Sequence, residues 1–213
     1  MFSNKIRNAA FLLLIVSFTI GCGGNGNEQD PVNPNENKTF SLNIENGTSL
    51  SYQVKLNDMV SYTLDITFRE LSPKLSYDFV MTNMDYTKGS VEITETARKG
   101  SKIINSEFQA GKEILSDKSK MVLSLEAYRD LLETGKTKLF WDGKEQDFQV
   151  LKNEDYKFEK GNGSVVEKVL HCNNADNTEQ FWVWKNPELP IIMKVDGVKK
   201  MELTYWYLPG ERP

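Results

Sequence analysis

The stretch "VSYTLDITF" constrains this chain more than any other. Val60, Tyr62, Leu64, Ile66 and Phe68 alternate strictly with Ser61, Thr63, Asp65 and Thr67. Successive strand residues point to opposite faces, so this pattern specifies an antiparallel strand covered by a core on one side. "LSYDFVM" repeats it, with Leu75, Tyr77, Phe79 and Met81 on one face. The segment Glu70 to Lys74 between the two runs includes Pro73, and a long hairpin is expected.

Shorter runs of the same kind predict strands near 39–44, 50–56, 89–96, 101–109, 137–141, 146–151, 155–160, 164–171, 179–184, 190–195 and 199–207. Turn signals separate many of them, among them Asn46-Gly47, Asp142-Gly143, Gly161-Asn162-Gly163 and Asp196-Gly197. Gly and Asn supply the positive φ that tight hairpins require. Asn46-Gly47-Thr48 and Asn162-Gly163-Ser164 match glycosylation triplets and read here as Asn-Gly turns.

One helix is predicted over 124–134, in "SLEAYRDLLETG". Ser124 is the N-cap, Glu126 lies in the first turn and Gly135 falls just past the end. Leu125, Tyr128, Leu131 and Leu132 form its apolar stripe. So short a helix cannot cover the apolar face of about ten strands, and the sheet must curl or split to hide the rest. The expected fold is mainly β, an extended curved antiparallel sheet forming a half-barrel or barrel.

The N-terminus has a different character. Lys5 and Arg7 precede an apolar run, Ala9 to Ile20, shorter than the roughly 20 residues a membrane-spanning helix needs. The order of basic, apolar and small residues is that of a secretory signal peptide over 1–21. Thr19-Ile20-Gly21-Cys22 resembles the lipobox of bacterial lipoproteins, with Thr19 where that family usually has leucine. The resemblance implies cleavage before Cys22, lipidation of Cys22 and a membrane anchor of several acyl chains. Each buried CH₂ of such chains contributes about 0.8 kcal/mol. Gly23 after Cys22, rather than aspartate, implies the outer membrane, with the domain facing the periplasm or the cell surface. Residues 22–38 continue as "CGGNGNEQDPVNPNENK", too polar and Gly/Asn/Pro-rich to bury a core, and read as a tether. A single β-rich domain is expected over 39–213.

A long antiparallel sheet, a short helix and a lipid anchor also resemble the curved half-barrels of LolA- and LolB-type lipoprotein carriers. This likeness is architectural, carried by no motif, and the extra helices of that family are not evident.

Composition excludes several functions. The chain has 26 basic and 30 acidic residues, a net charge of −4, and loss of Lys5 and Arg7 with the leader makes it more acidic. No basic stripe is present, which argues against nucleic-acid partners. With Cys22 lipidated, Cys172 is the one thiol left and His171 is the only histidine, so neither an intrachain disulfide nor a Cys/His zinc site can be built. No metal or cofactor is expected.

Candidate chemistry is sparse. His171 and Cys172 are adjacent, so on a strand they face opposite ways and cannot form a nucleophile–base pair; one buried and one exposed residue is the expectation. Asn173, Asn174, Asp176 and Asn177 carry oxygens suited to calcium, but without the glycine and glutamate of an EF-hand they read as a hairpin loop. Carboxylates such as Glu92 and Glu95, or Glu154, Asp155 and Glu159, are numerous enough for a glycosidase pair. Trp182 and Trp184, on one face of their strand, together with Trp141, Tyr205 and Trp206, are candidates for lining an apolar or sugar cavity, with core packing the alternative. The expected function is a non-enzymatic, membrane-anchored protein binding a hydrophobic ligand or an envelope protein. The alternatives are a hydrolase of envelope polysaccharide or lipid using paired carboxylates, and a structural or assembly lipoprotein.

Overall fold

The computed structural model describes residues 42–56, 60–83, 87–160 and 163–211. The segments expected to be a signal peptide (1–21) and a lipidated tether (22–38) lie outside the described residues.

The elements are β1 (Ser49–Lys55), β2 (Ser61–Glu70), β3 (Leu75–Thr82), β4 (Thr87–Ile93), α1 (Glu95–Gly100), β5 (Ile103–Ile104), β6 (Gly111–Leu115), α2 (Leu125–Thr134), β7 (Lys136–Trp141), β8 (Lys144–Lys160), β9 (Gly163–Asn174), β10 (Gln180–Trp184), β11 (Ile192–Asp196) and β12 (Lys200–Tyr207). All twelve strands join one sheet in the order β5-β7-β8-β9-β10-β11-β12-β1-β2-β3-β4-β6. Pairing is antiparallel except at the two ends, where β5–β7 and β4–β6 run parallel. A further parallel bridge, Tyr205 to Glu159, brings β12 back to β8 and closes β8 to β12 into a partial ring.

The alternation of β2 and β3 is realised as a hairpin. Tyr62, Leu64, Ile66 and Phe68 are buried beside Leu75, Tyr77, Phe79 and Met81. Full burial of a large apolar side chain contributes about 1.5–3 kcal/mol, so these two strands form a major part of the core. Three buried phenols tie that core to crossing backbone: Tyr52 donates to the Ile192 carbonyl (3.2 Å), Tyr77 to Lys120 (3.2 Å) and Tyr156 to Leu203 (3.2 Å). A buried hydroxyl needs such an acceptor to offset its desolvation.

Helix α2 lies where expected, capped by the Ser124 hydroxyl accepting from the Ala127 N–H (3.1 Å) and ended by Gly135 at φ 73°. Its buried face is Ala127, Tyr128 and Leu131; Leu132 is exposed and Leu125 only half-buried, so the stripe is rotated from the expected one.

Other boundaries differ from the expectations. Residues 42–44 form no strand, and 39–41 lie outside the described residues. The two short strands expected over 146–151 and 155–160 are one 17-residue strand, β8, with a bulge between Val150 and Lys152 that resets its alternation. The expected strand 89–96 ends at Ile93, because the Thr94 hydroxyl accepts from the Ala97 N–H (3.3 Å) and starts α1, a second helix. Within 101–109 only Ile103–Ile104 pair, and the unanticipated β6 completes the far edge.

Candidate functional site

The five nominated aromatics are distributed rather than gathered. Trp141 stacks on Phe181 (5.3 Å between ring centroids) with Phe148 beside them. Trp184 meets Trp206 edge-on (5.8 Å), and Phe158 stacks on Trp206 (6.0 Å). A register shift where β12 pairs with β1 turns Trp206 fully inward and leaves Tyr205 outward, stacked on Tyr207. Trp182 lies against His171 (4.1 Å), with the Lys194 ammonium over its ring (5.1 Å). Trp141 alone borders the largest cavity described below; Trp184 borders a smaller one beside Arg98.

His171 and Cys172 are both buried, against the expectation of one buried and one exposed. β9 has sheet on both sides and further structure on both faces there: Cys172 points into the core, and His171 is covered by Trp182. The His171 Nε2 pairs with Gln180 Oε1 (2.8 Å) and its Nδ1 faces Glu154 (3.3 Å). Burial pushes the Cys172 thiol up to about 12, which makes it a poor nucleophile at neutral pH.

The residues named for calcium instead build the β9–β10 loop. Asn174 Oδ1 accepts the N–H groups of Thr178 (2.9 Å) and Glu179 (3.1 Å), its Nδ2 donates to Gln146 (2.7 Å), and Asn173 donates to Asn177.

That loop forms one wall of a cavity of about 710 Å³ at one end of the sheet. The β7–β8 turn at Asp142, the β11–β12 hairpin through Gly197 and the segment at Ser106 and Glu107 supply the others. The apolar part is Trp141, Val195 and Met201, all buried, with Leu56 and Val198 exposed at the rim. At 86 % exposure, Val198 is the most exposed large apolar side chain described. The charged part is Glu107, Asp142, Glu145, Asp176, Glu179, Lys144 and Lys199.

Hydrogen bonds fix these polar groups in distinct ways. Asp142 is committed through both oxygens, accepting the Ser106 N–H (2.7 Å) and hydroxyl (2.6 Å). Lys199 donates to the Ser106 carbonyl (2.7 Å). Glu179 lies on Gly197, where a Cβ would sit 1.9 Å from its Oε2, and accepts the Val198 N–H (3.2 Å). Burial raises the pKa of Glu179; the Val198 bond and Lys144 oppose this, and the charges of Asp142 and Asp196 add to it. Burial lowers that of Lys199 to about 8.

Sequence reasoning missed Ser106, Glu179 and Lys199, whose neighbours here lie 19 to 93 residues away along the chain. The Asp196-Gly197 turn was the only local signal.

Comparison with protein-family models, with curated proteins and with solved structures gave no match. The roles of these residues therefore rest on their own geometry.

Proposed function

We propose that this protein is a lipid-anchored, non-enzymatic binding module of the bacterial envelope. The membrane is its constant partner, through Cys22, and its ligand is a molecule or envelope-protein segment with an apolar portion. The supporting observation is the cavity at the β7–β8, β9–β10 and β11–β12 ends, where Trp141, Val195 and Met201 face an opening rimmed by Leu56 and Val198. An apolar floor with a few fixed polar groups is the usual form of a small-molecule site. The packed side chains between the sheet's faces leave the carrier reading to this end cavity, rather than to a hollow lined by all five aromatics.

The paired-carboxylate reading would place Glu179 and Asp142 across this opening. A glycosidase needs one carboxylate free to attack or to activate water. Asp142 has both oxygens engaged by Ser106, so it is not the free carboxylate of such a pair.

Titration with the neutral fluorescent probe N-phenyl-1-naphthylamine tests the reading. Saturable binding by the wild-type protein, weakened at least tenfold in the double variant Leu56→Glu/Val198→Glu, is the expected result. Equal affinity in both would place the binding surface elsewhere, and no binding to either would remove the apolar-ligand reading.

A further inference from the structure

Two lysines reach the segment that closes the cavity, and they are treated differently. Lys120 and Lys199 donate to the carbonyls of consecutive residues, Glu107 and Ser106. Lys120 is wholly buried and also holds a carboxylate, Glu113, at 2.6 Å. Lys199 has the Ser106 carbonyl alone: among the described residues no carboxylate oxygen lies within 4 Å of its ammonium. An ammonium that is half-buried, near a second ammonium and without an ion-pair partner is held closer to its neutral form than a surface lysine. That is the environment in which a lysine becomes a nucleophile. It also borders open space, since Lys199 lines the cavity of about 710 Å³.

We propose that Lys199 is a reactive amine that captures an aldehyde entering this cavity, forming a reversible imine. The proposal rests on the cavity being a binding site and names the chemical class of ligand that the site takes. The neutral amine's lone pair attacks the carbonyl carbon, the C=O π pair moves to oxygen, and a proton from water completes a carbinolamine. After the nitrogen gives up its extra proton, the hydroxyl takes one and leaves as water while the nitrogen lone pair forms the C=N bond, and the resulting iminium returns its remaining N–H proton to water. Amine and aldehyde thus become imine and water, with no change of oxidation state. The apolar body of the aldehyde rests on Trp141, Val195 and Met201.

The charged surroundings support this role. Burial is the main cause of the fall in the Lys199 pKa to about 8; Asp142 and Glu107 oppose it and Lys120 reinforces it. Glu179, Lys144, Glu145 and Asp176 are the other ionisable groups lining the cavity. At pH 8 about half of such an amine is neutral, against under 1 % of an ordinary lysine. Its lower basicity also weakens each neutral amine, so a net advantage of about tenfold is expected.

The test is reductive labelling of the full chain with benzaldehyde and sodium cyanoborohydride between pH 6.5 and 9.5, read by peptide mass mapping. Lys199 is expected to label about tenfold faster than Lys144 of the same cavity, with a rate that reaches half its maximum near pH 8. In Lys199→Arg, Lys144 should label at its wild-type rate. Labelling of Lys199 no faster than Lys144 overturns the proposal. Binding of N-phenyl-1-naphthylamine, measured in parallel on Lys199→Met, separates the two ways to fail. Probe bound without selective labelling removes the amine chemistry alone, whereas neither binding nor labelling removes the cavity reading with it.

Discussion

Glu113→Gln should destabilise the protein more than removal of the lysine that Glu113 serves. The Lys120 ammonium has no exposure to water, and its charge is balanced by Glu113 at 2.6 Å, the Glu107 carbonyl and the face of Phe108 at 4.9 Å. Breaking a fully buried pair from one side costs about 3–5 kcal/mol, because the remaining charge is left uncompensated. Glu113 keeps 26 % of its side chain exposed, so water can reach the vacated site, and the carbonyl and ring remain. A cost of about 2–3 kcal/mol is therefore expected. Lys120→Met removes the charge, keeps the aliphatic volume and leaves Glu113 able to turn toward solvent. The lost bond to Glu107 limits its cost to about 0.5–1.5 kcal/mol. The double variant should resemble Lys120→Met, which makes the pair strongly non-additive. Urea denaturation followed by tryptophan fluorescence and circular dichroism measures all four proteins. Glu113→Gln within 0.5 kcal/mol of wild type, or Lys120→Met the more damaging change, would refute this balance.

Other outcomes follow from the same interactions. Lys199 binds its proton less tightly folded than unfolded, so between its folded value of about 8 and its ordinary 10.5 the unfolded chain holds more protons and stability rises with pH. Denaturation midpoints at pH 7.5 and 9.5 should therefore rise more in wild type than in Lys199→Met, and an equal change in both would count against a depressed lysine. Cys172 should resist Ellman's reagent at pH 8 in the folded protein and react within seconds in 6 M guanidinium chloride; rapid native reaction would contradict its burial. Gly197→Ala forces Glu179 off its seat, and should weaken probe binding severalfold with the fold retained by circular dichroism, whereas unchanged binding would show that this carboxylate contributes nothing to the site.

Much of the sheet could be read directly from the sequence because its signal is local. In β2 and β3 every second residue is apolar and the partner strand is the chain neighbour, so period and turn together define the hairpin. Helix α2 was equally legible, since Ser124 and Gly135 mark both ends. Helix α1 was not: six residues burying only Ala97 leave no apolar stripe, and its one cue was Thr94 ahead of Glu95. Parallel β6 was missed because its partner β4 lies across an intervening helix and Gly111–Leu115 shows no strict alternation. In β12 the register shift sends Trp206 inward next to outward Tyr205, so period two misplaces aromatics at the one position where it breaks. The candidate site was the least legible part. Its lining comes from five separated segments, and the residues that define its chemistry are ordinary surface types: a serine, an aspartate, a glutamate and a lysine. What makes Lys199 unusual is its burial without a direct ion pair, which only the assembled fold supplies.

Occupancy of the end cavity by an apolar ligand in the cell is the property on which the proposed function depends. The described residues belong to one compact unit, and native mass spectrometry of residues 37–213, made in a bacterial envelope and purified without detergent, tests it most directly. A bound molecule of reproducible mass is expected on the wild-type protein and none on Leu56→Glu/Val198→Glu. An apo mass for both proteins, or the same bound molecule on both, would contradict it.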